Sequence, residues 1–100
     1  MQQEIINKII DILKEIYKIN IIEIVDNNIL FKYKNIDNKI SIIILENKNI
    51  LLRFKNEYKY RSLNISNKND LNVYIQVFIK ECLQWQEMNT IKLFKIGYQF

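Results

Sequence analysis

Phe31-Lys32-Tyr33-Lys34, Arg53-Phe54-Lys55 and Tyr58-Lys59-Tyr60-Arg61 are three stretches in which aromatic residues alternate with Lys or Arg. Successive side chains of a strand point to opposite faces. A period of two therefore sends the rings one way and the cations the other, and it identifies these stretches as strands of a sheet covered on one side. The same period extends from Ile21 to about Leu63. It predicts five strands, at 21–26, 29–35, 39–46, 49–55 and 57–63. The breaks are Asp26-Asn27-Asn28, Asn35-Ile36-Asp37-Asn38, Asn47-Lys48-Asn49 and Asn56. Each contains Asn, which tolerates the left-handed backbone of tight turns. None is long enough for a parallel crossover, so the order is an antiparallel meander.

On either side the period changes. From Glu4 to Ile19 the apolar set Ile5, Ile9, Ile12, Leu13 and Ile16 follows helical spacing, and Asn20 is a natural stop. A second helix begins near Ser66 to Asp70, where several residues can cap it, and runs at least to about Met88. Its apolar stripe is Leu71, Tyr74, Ile75, Phe78, Cys82 and Trp85. Thr90 to Phe100 reads equally as a helix end, a short strand or an apolar tail, with Tyr98 and Phe100 placed to dock elsewhere. The expected architecture is α+β: an N-terminal helix, a five-stranded antiparallel meander and a C-terminal helix, with both helices on one face of the sheet. Residues 1–100 form one domain on this reading.

Alternation assigns the faces. Ile29, Phe31, Tyr33, Ile40, Ile42, Ile44, Ile50, Leu52, Phe54, Tyr58 and Tyr60 point inward, joined by Phe78 and Trp85. Lys32, Lys34, Lys39, Arg53, Lys55, Lys59 and Arg61 point outward, against Glu23 as the outward acid. An antiparallel sheet commonly leaves one face to water, and here that face is basic. Lys32, Lys34, Arg53, Lys55, Lys59 and Arg61 are accordingly the candidate binding residues. Leu30, Ile43, Leu45 and Leu51 also point outward. A turn at Asn47-Lys48-Asn49 places Leu45 opposite Leu51 and Ile43 opposite Arg53, an apolar centre with a charged rim suited to an interface.

Composition bounds the function. Charged residues are 26 % of the chain and apolar residues 49 %, ordinary values for a folded domain, and the formal net charge is +4. Ile, Asn and Lys are favoured by AT-rich codons, so part of the basic balance reflects genome bias. Cys82 is the single cysteine, which excludes an internal disulfide and fits a reducing compartment. Met1-Gln2-Gln3-Glu4 lacks the basic start of a signal peptide, and no apolar run approaches the ~20 residues that span a bilayer. The expected location is cytoplasmic, with no membrane association.

With no His, Cys82 has no imidazole to activate it, and beside Phe78 and Trp85 it reads as a core residue. Asp11 and Glu15 read as ion-pair partners of Lys14 and Lys18 on a helix surface. A single Gly excludes a glycine-rich phosphate loop, and there is no Cys/His ligand cluster. The expectation is a non-enzyme with no cofactor and no metal. It presents its basic, partly apolar sheet face to nucleic acid or to an acidic, nucleic-acid-associated protein, as a phage-type inhibitor of a host defence enzyme would. The alternative is a structural subunit or homodimeric adaptor joined through the same face.

Overall fold

The structure is a computed structural model that describes residues 2–98; the side chains of Ile22 and of residues 85–98 lie outside the described residues. Helix α1 (Gln2–Glu15) leads into strands β1 (Ile21–Val25), β2 (Asn28–Tyr33), β3 (Ile36–Ile44), β4 (Ile50–Lys55) and β5 (Tyr60–Ile65). A single 3-10 turn (Lys68–Asp70) then opens helix α2 (Leu71–Tyr98). The strands form one antiparallel sheet in the order β1-β2-β3-β4-β5. The α+β meander with flanking helices is the architecture expected from the changes of period.

Both helices cover the same face. Ile5, Ile6, Ile9 and Leu13 of α1 and Ile75, Phe78, Ile79, Cys82 and Leu83 of α2 share one core with Ile29, Phe31, Ile40, Ile42, Ile50, Leu52 and Phe54 of the sheet. Each large apolar side chain buried this way contributes about 1.5–3 kcal/mol. Helix α1 ends earlier than its apolar pattern suggests. Lys18 takes a positive φ of 56°, and the Ile19 N–H donates to the Leu13 carbonyl at 2.9 Å. The chain leaves the helix axis there, so Ile16, expected on the core stripe, is 60 % exposed, and Ile6 is buried instead. At the other helix, Asn67 caps the 3-10 turn, its side chain accepting from the Asn69 N–H at 3.0 Å. The backbone continues helical to Tyr98, while the expected burial of Trp85 and the expected docking of Tyr98 and Phe100 lie outside the described residues.

The turns depart from the sequence reading, and they decide the faces. Lys34 and Asn35, with φ of 53° and 66°, make a tight two-residue turn, so residues 36–38 belong to β3 and not to a loop. Between β3 and β4 the turn is Glu46-Asn47-Lys48, with Lys48 at φ 71° and the Leu45 N–H donating to the Asn49 carbonyl at 2.9 Å. Between β4 and β5 the turn spans four residues, Asn56 to Lys59, because Lys55 pairs with Tyr60. The Asn56 side-chain oxygen accepts from the N–H groups of both Tyr58 and Lys59 at 2.8 Å. Its amide nitrogen donates at 3.1 Å to the side-chain oxygen of Asn38, which is itself 3 % exposed.

Candidate functional site

The uncovered face of the sheet can be built row by row from the strand register. Directly opposed residues of antiparallel strands lie on the same face, with Cβ atoms about 4.5–5.5 Å apart. Glu23, Leu30, Lys39, Lys55 and Tyr60 form one row across all five strands. The next row, about 7 Å along the strands, is Asn28, Ser41, Arg53 and Ser62. Beyond it lie Ile43, Leu51 and Asn64. On the other side of the first row, Lys32 faces Asp37, 3.8 Å from its carboxylate.

Of the candidate cations, Arg53 and Lys55 are exposed at the centre of this face, and Lys39, already assigned outward, joins them. Lys32 is on the face but paired with Asp37. Lys34 sits in the β2–β3 turn with its Nζ 5.7 Å from the centre of the Tyr33 ring. Lys59 and Arg61 are not on the face, which corrects their assignment outward. Arg61 opposes Phe54 on the helix-covered side and donates to the carboxylate of Glu81 on α2. Lys59 closes the four-residue turn and is half-buried. The physical reason is parity. A four-residue turn pairs the even-numbered inward residues of β4 with odd-numbered residues of β5, so Arg61, Leu63 and Ile65 turn inward.

The same parity corrects the tyrosines expected in the core. Tyr60 is 55 % exposed on the basic face beside Lys55, and Tyr58, in the turn, is 58 % exposed. Among the apolar candidates, Leu30, Ile43, Leu45 and Leu51 are all half-buried. Their pairing differs from expectation by two residues, because the turn starts at Glu46. Ile43 opposes Leu51, Arg53 opposes Ser41, and Leu45 lies at the hairpin end beside Asn49.

The electrostatics of the central row are unusual for a sheet surface. Lys39 and Lys55 are directly opposed, an arrangement that repels. Among the described residues neither they nor Arg53 has an ion-pair partner. The two lysines also line a cleft of about 640 Å³ at this end of the sheet, together with Leu30, Asn38, Asn56 and the carboxylates Asp37 and Glu57. Residue type alone marks both asparagines as turn residues. Their position among apolar inward residues was the available signal, since Asn38 falls in phase with Ile40 and Ile42 and Asn56 with Leu52 and Phe54.

Elsewhere the chemistry is quiet. Burial pushes the Cys82 thiol up to about 12, with Arg61 and Lys59 pulling it down and Glu81 pushing it up, so the thiol stays protonated at neutral pH. Among the described residues no group of three or more His, Cys, Asp or Glu side chains could hold a metal ion. No helix among them is long and apolar enough to cross a membrane. Comparison of the chain with protein-family models, with curated proteins and with solved structures finds no match in any of the three.

Proposed function

We propose that this chain is a non-catalytic binding protein that docks nucleic acid on the uncovered face of its sheet, with phosphates held by Lys39, Arg53 and Lys55. The observation that carries the reading is the opposed pair Lys39 and Lys55, exposed and without an ion-pair partner among the described residues, with Arg53 one row away. Cations on neighbouring positions of the sheet repel one another, and a bound anion relieves that repulsion. Phosphates neutralise them and release condensed counterions, which supplies affinity without reading sequence. A protein of this kind acts by occupancy. It would inhibit or adapt a nucleic-acid-associated complex, and a phage-type anti-defence inhibitor is one such role.

Fluorescence anisotropy with labelled oligonucleotides tests the reading. Three phosphate contacts imply a fall in affinity of about 20-fold for a single strand between about 50 and about 200 mM salt. Glu at Lys39, Arg53 and Lys55 together should abolish binding and leave the melting temperature within a few degrees. Lys59→Glu, off the face, should change little. Binding that ignores salt and the triple reversal eliminates the reading.

A second reading, a homodimer joined across the same face, is favoured by the direct opposition of Ile43 and Leu51. Lys at both positions would then dissociate the dimer in sedimentation without unfolding the monomer.

A further inference from the structure

We infer that Tyr60 is a base-stacking platform and that the nucleic acid bound on this face is single-stranded. The inference rests on the nucleic-acid reading above and specifies its ligand. Tyr60 directly opposes Lys55, which directly opposes Lys39, so the ring stands at the end of a short cationic row. It is 55 % exposed, and among the described residues no ring contact or hydrogen bond engages its side chain. Tyr58 differs, because it lies in the β4–β5 turn and the neighbouring Glu57 carboxylate raises its pKa. Tyr60 lies on edge strand β5.

A ring next to phosphate-binding cations offers what a single strand needs and a duplex cannot use. Nonspecific single-strand binding combines a cationic track for the backbone with aromatic faces on which unpaired bases stack. In a duplex the base faces are already stacked on one another, and a protein that neutralises its phosphates gains nothing from an exposed ring. The Leu30, Ile43 and Leu51 side chains add apolar surface to the same face, on which further bases can lie.

The test uses the full chain with a labelled single-stranded oligonucleotide of about 12 nucleotides, the same sequence as a duplex, and a polyglutamate peptide. Tyr60→Ala and Tyr60→Thr remove the ring, the second keeping a β-branched strand former in place; Tyr60→Phe keeps the ring. Wild type should bind the single strand more tightly than the duplex. Loss of the ring should weaken single-strand binding by about 5-fold to about 150-fold, the range for one stacked base. The salt slope should be unchanged, because the phosphate contacts remain, and Tyr60→Phe should bind like wild type. Equal or tighter duplex binding, or ring-less variants that bind like wild type, overturns the stacking inference while a surviving salt slope leaves the electrostatic reading intact. Failure to bind either nucleic acid overturns both. Binding to polyglutamate alone does the same and assigns the face to an acidic protein.

Discussion

Replacing Asn56 by Ala should be among the most damaging single changes in the sheet, although the residue sits in a turn. Its side chain makes three hydrogen bonds, two accepted from the Tyr58 and Lys59 N–H groups at 2.8 Å and one donated to Asn38 at 3.1 Å. At about 1 kcal/mol net for each bond, their removal amounts to about 3 kcal/mol. The Asn38 oxygen is then left buried without that donor, and the β4–β5 turn loses the side chain that shapes it. Partial hydration of the exposed turn offsets some of this, so about 3 kcal/mol is the expected loss. For a domain of this size that lowers the melting temperature by about 12–24 °C. Asn38→Ala should cost less, because it loses the shared bond and the one its amide donates to the Ile36 carbonyl at 3.0 Å. Chemical denaturation of both single variants and the double variant isolates the shared bond, with an expected coupling of about 1 kcal/mol. A loss under about 1 kcal/mol for Asn56→Ala, or strict additivity in the cycle, would refute the claim that this amide holds the turn. The claim matters beyond stability, because the four-residue turn is what sets Tyr60 on the open face and Arg61 against α2.

Two further outcomes follow from the backbone and the core. Lys48→Gly should raise the melting temperature by a few degrees, because Lys48 holds φ at 71°, where a side chain costs about 1–2 kcal/mol and glycine loses only part of that to chain entropy; a lower melting temperature would contradict it. Cys82 should resist thiol reagents in the native state and should make stability pH-dependent at the alkaline end. Its folded value of about 12 lies above the ordinary 9.0, so the native state keeps a proton that the unfolded chain releases. The contribution is whole below about pH 9 and is lost toward about pH 12, with a slope of up to about 1.4 kcal/mol per pH unit. Comparison with Cys82→Ala by urea denaturation isolates the effect, and a flat difference across that window would refute it.

The candidate site was half legible in the sequence. Arg53 and Lys55 could be placed on one face because they flank Phe54 in an uninterrupted strand, where alternation is a local property. Lys59 and Arg61 could not, because their face depends on how many residues the preceding turn consumes. Asn56 looked like a one-residue break, and its capacity to engage two N–H groups at once was not visible from residue type. The shift of the β3–β4 pairing has a similar origin: Lys48, not an Asn, takes the left-handed position, while Asn47 uses its side chain to accept from the Asn49 N–H at 3.0 Å.

The order of helices and strands, the antiparallel meander and the inward residues of β2, β3 and β4 are properties of the sequence alone. They follow from period and from breaks too short for a crossover, both of which are read within a few residues. The parity of β5, the opposition of Lys39 to Lys55 and the exposure of Tyr60 were decided only by tertiary structure. Each depends on which residue of one strand meets which residue of another, and the contact that helps settle it joins Asn56 to Asn38, 18 positions away. Because the side-chain period is two, a change of one residue in a turn moves an entire strand to the opposite face.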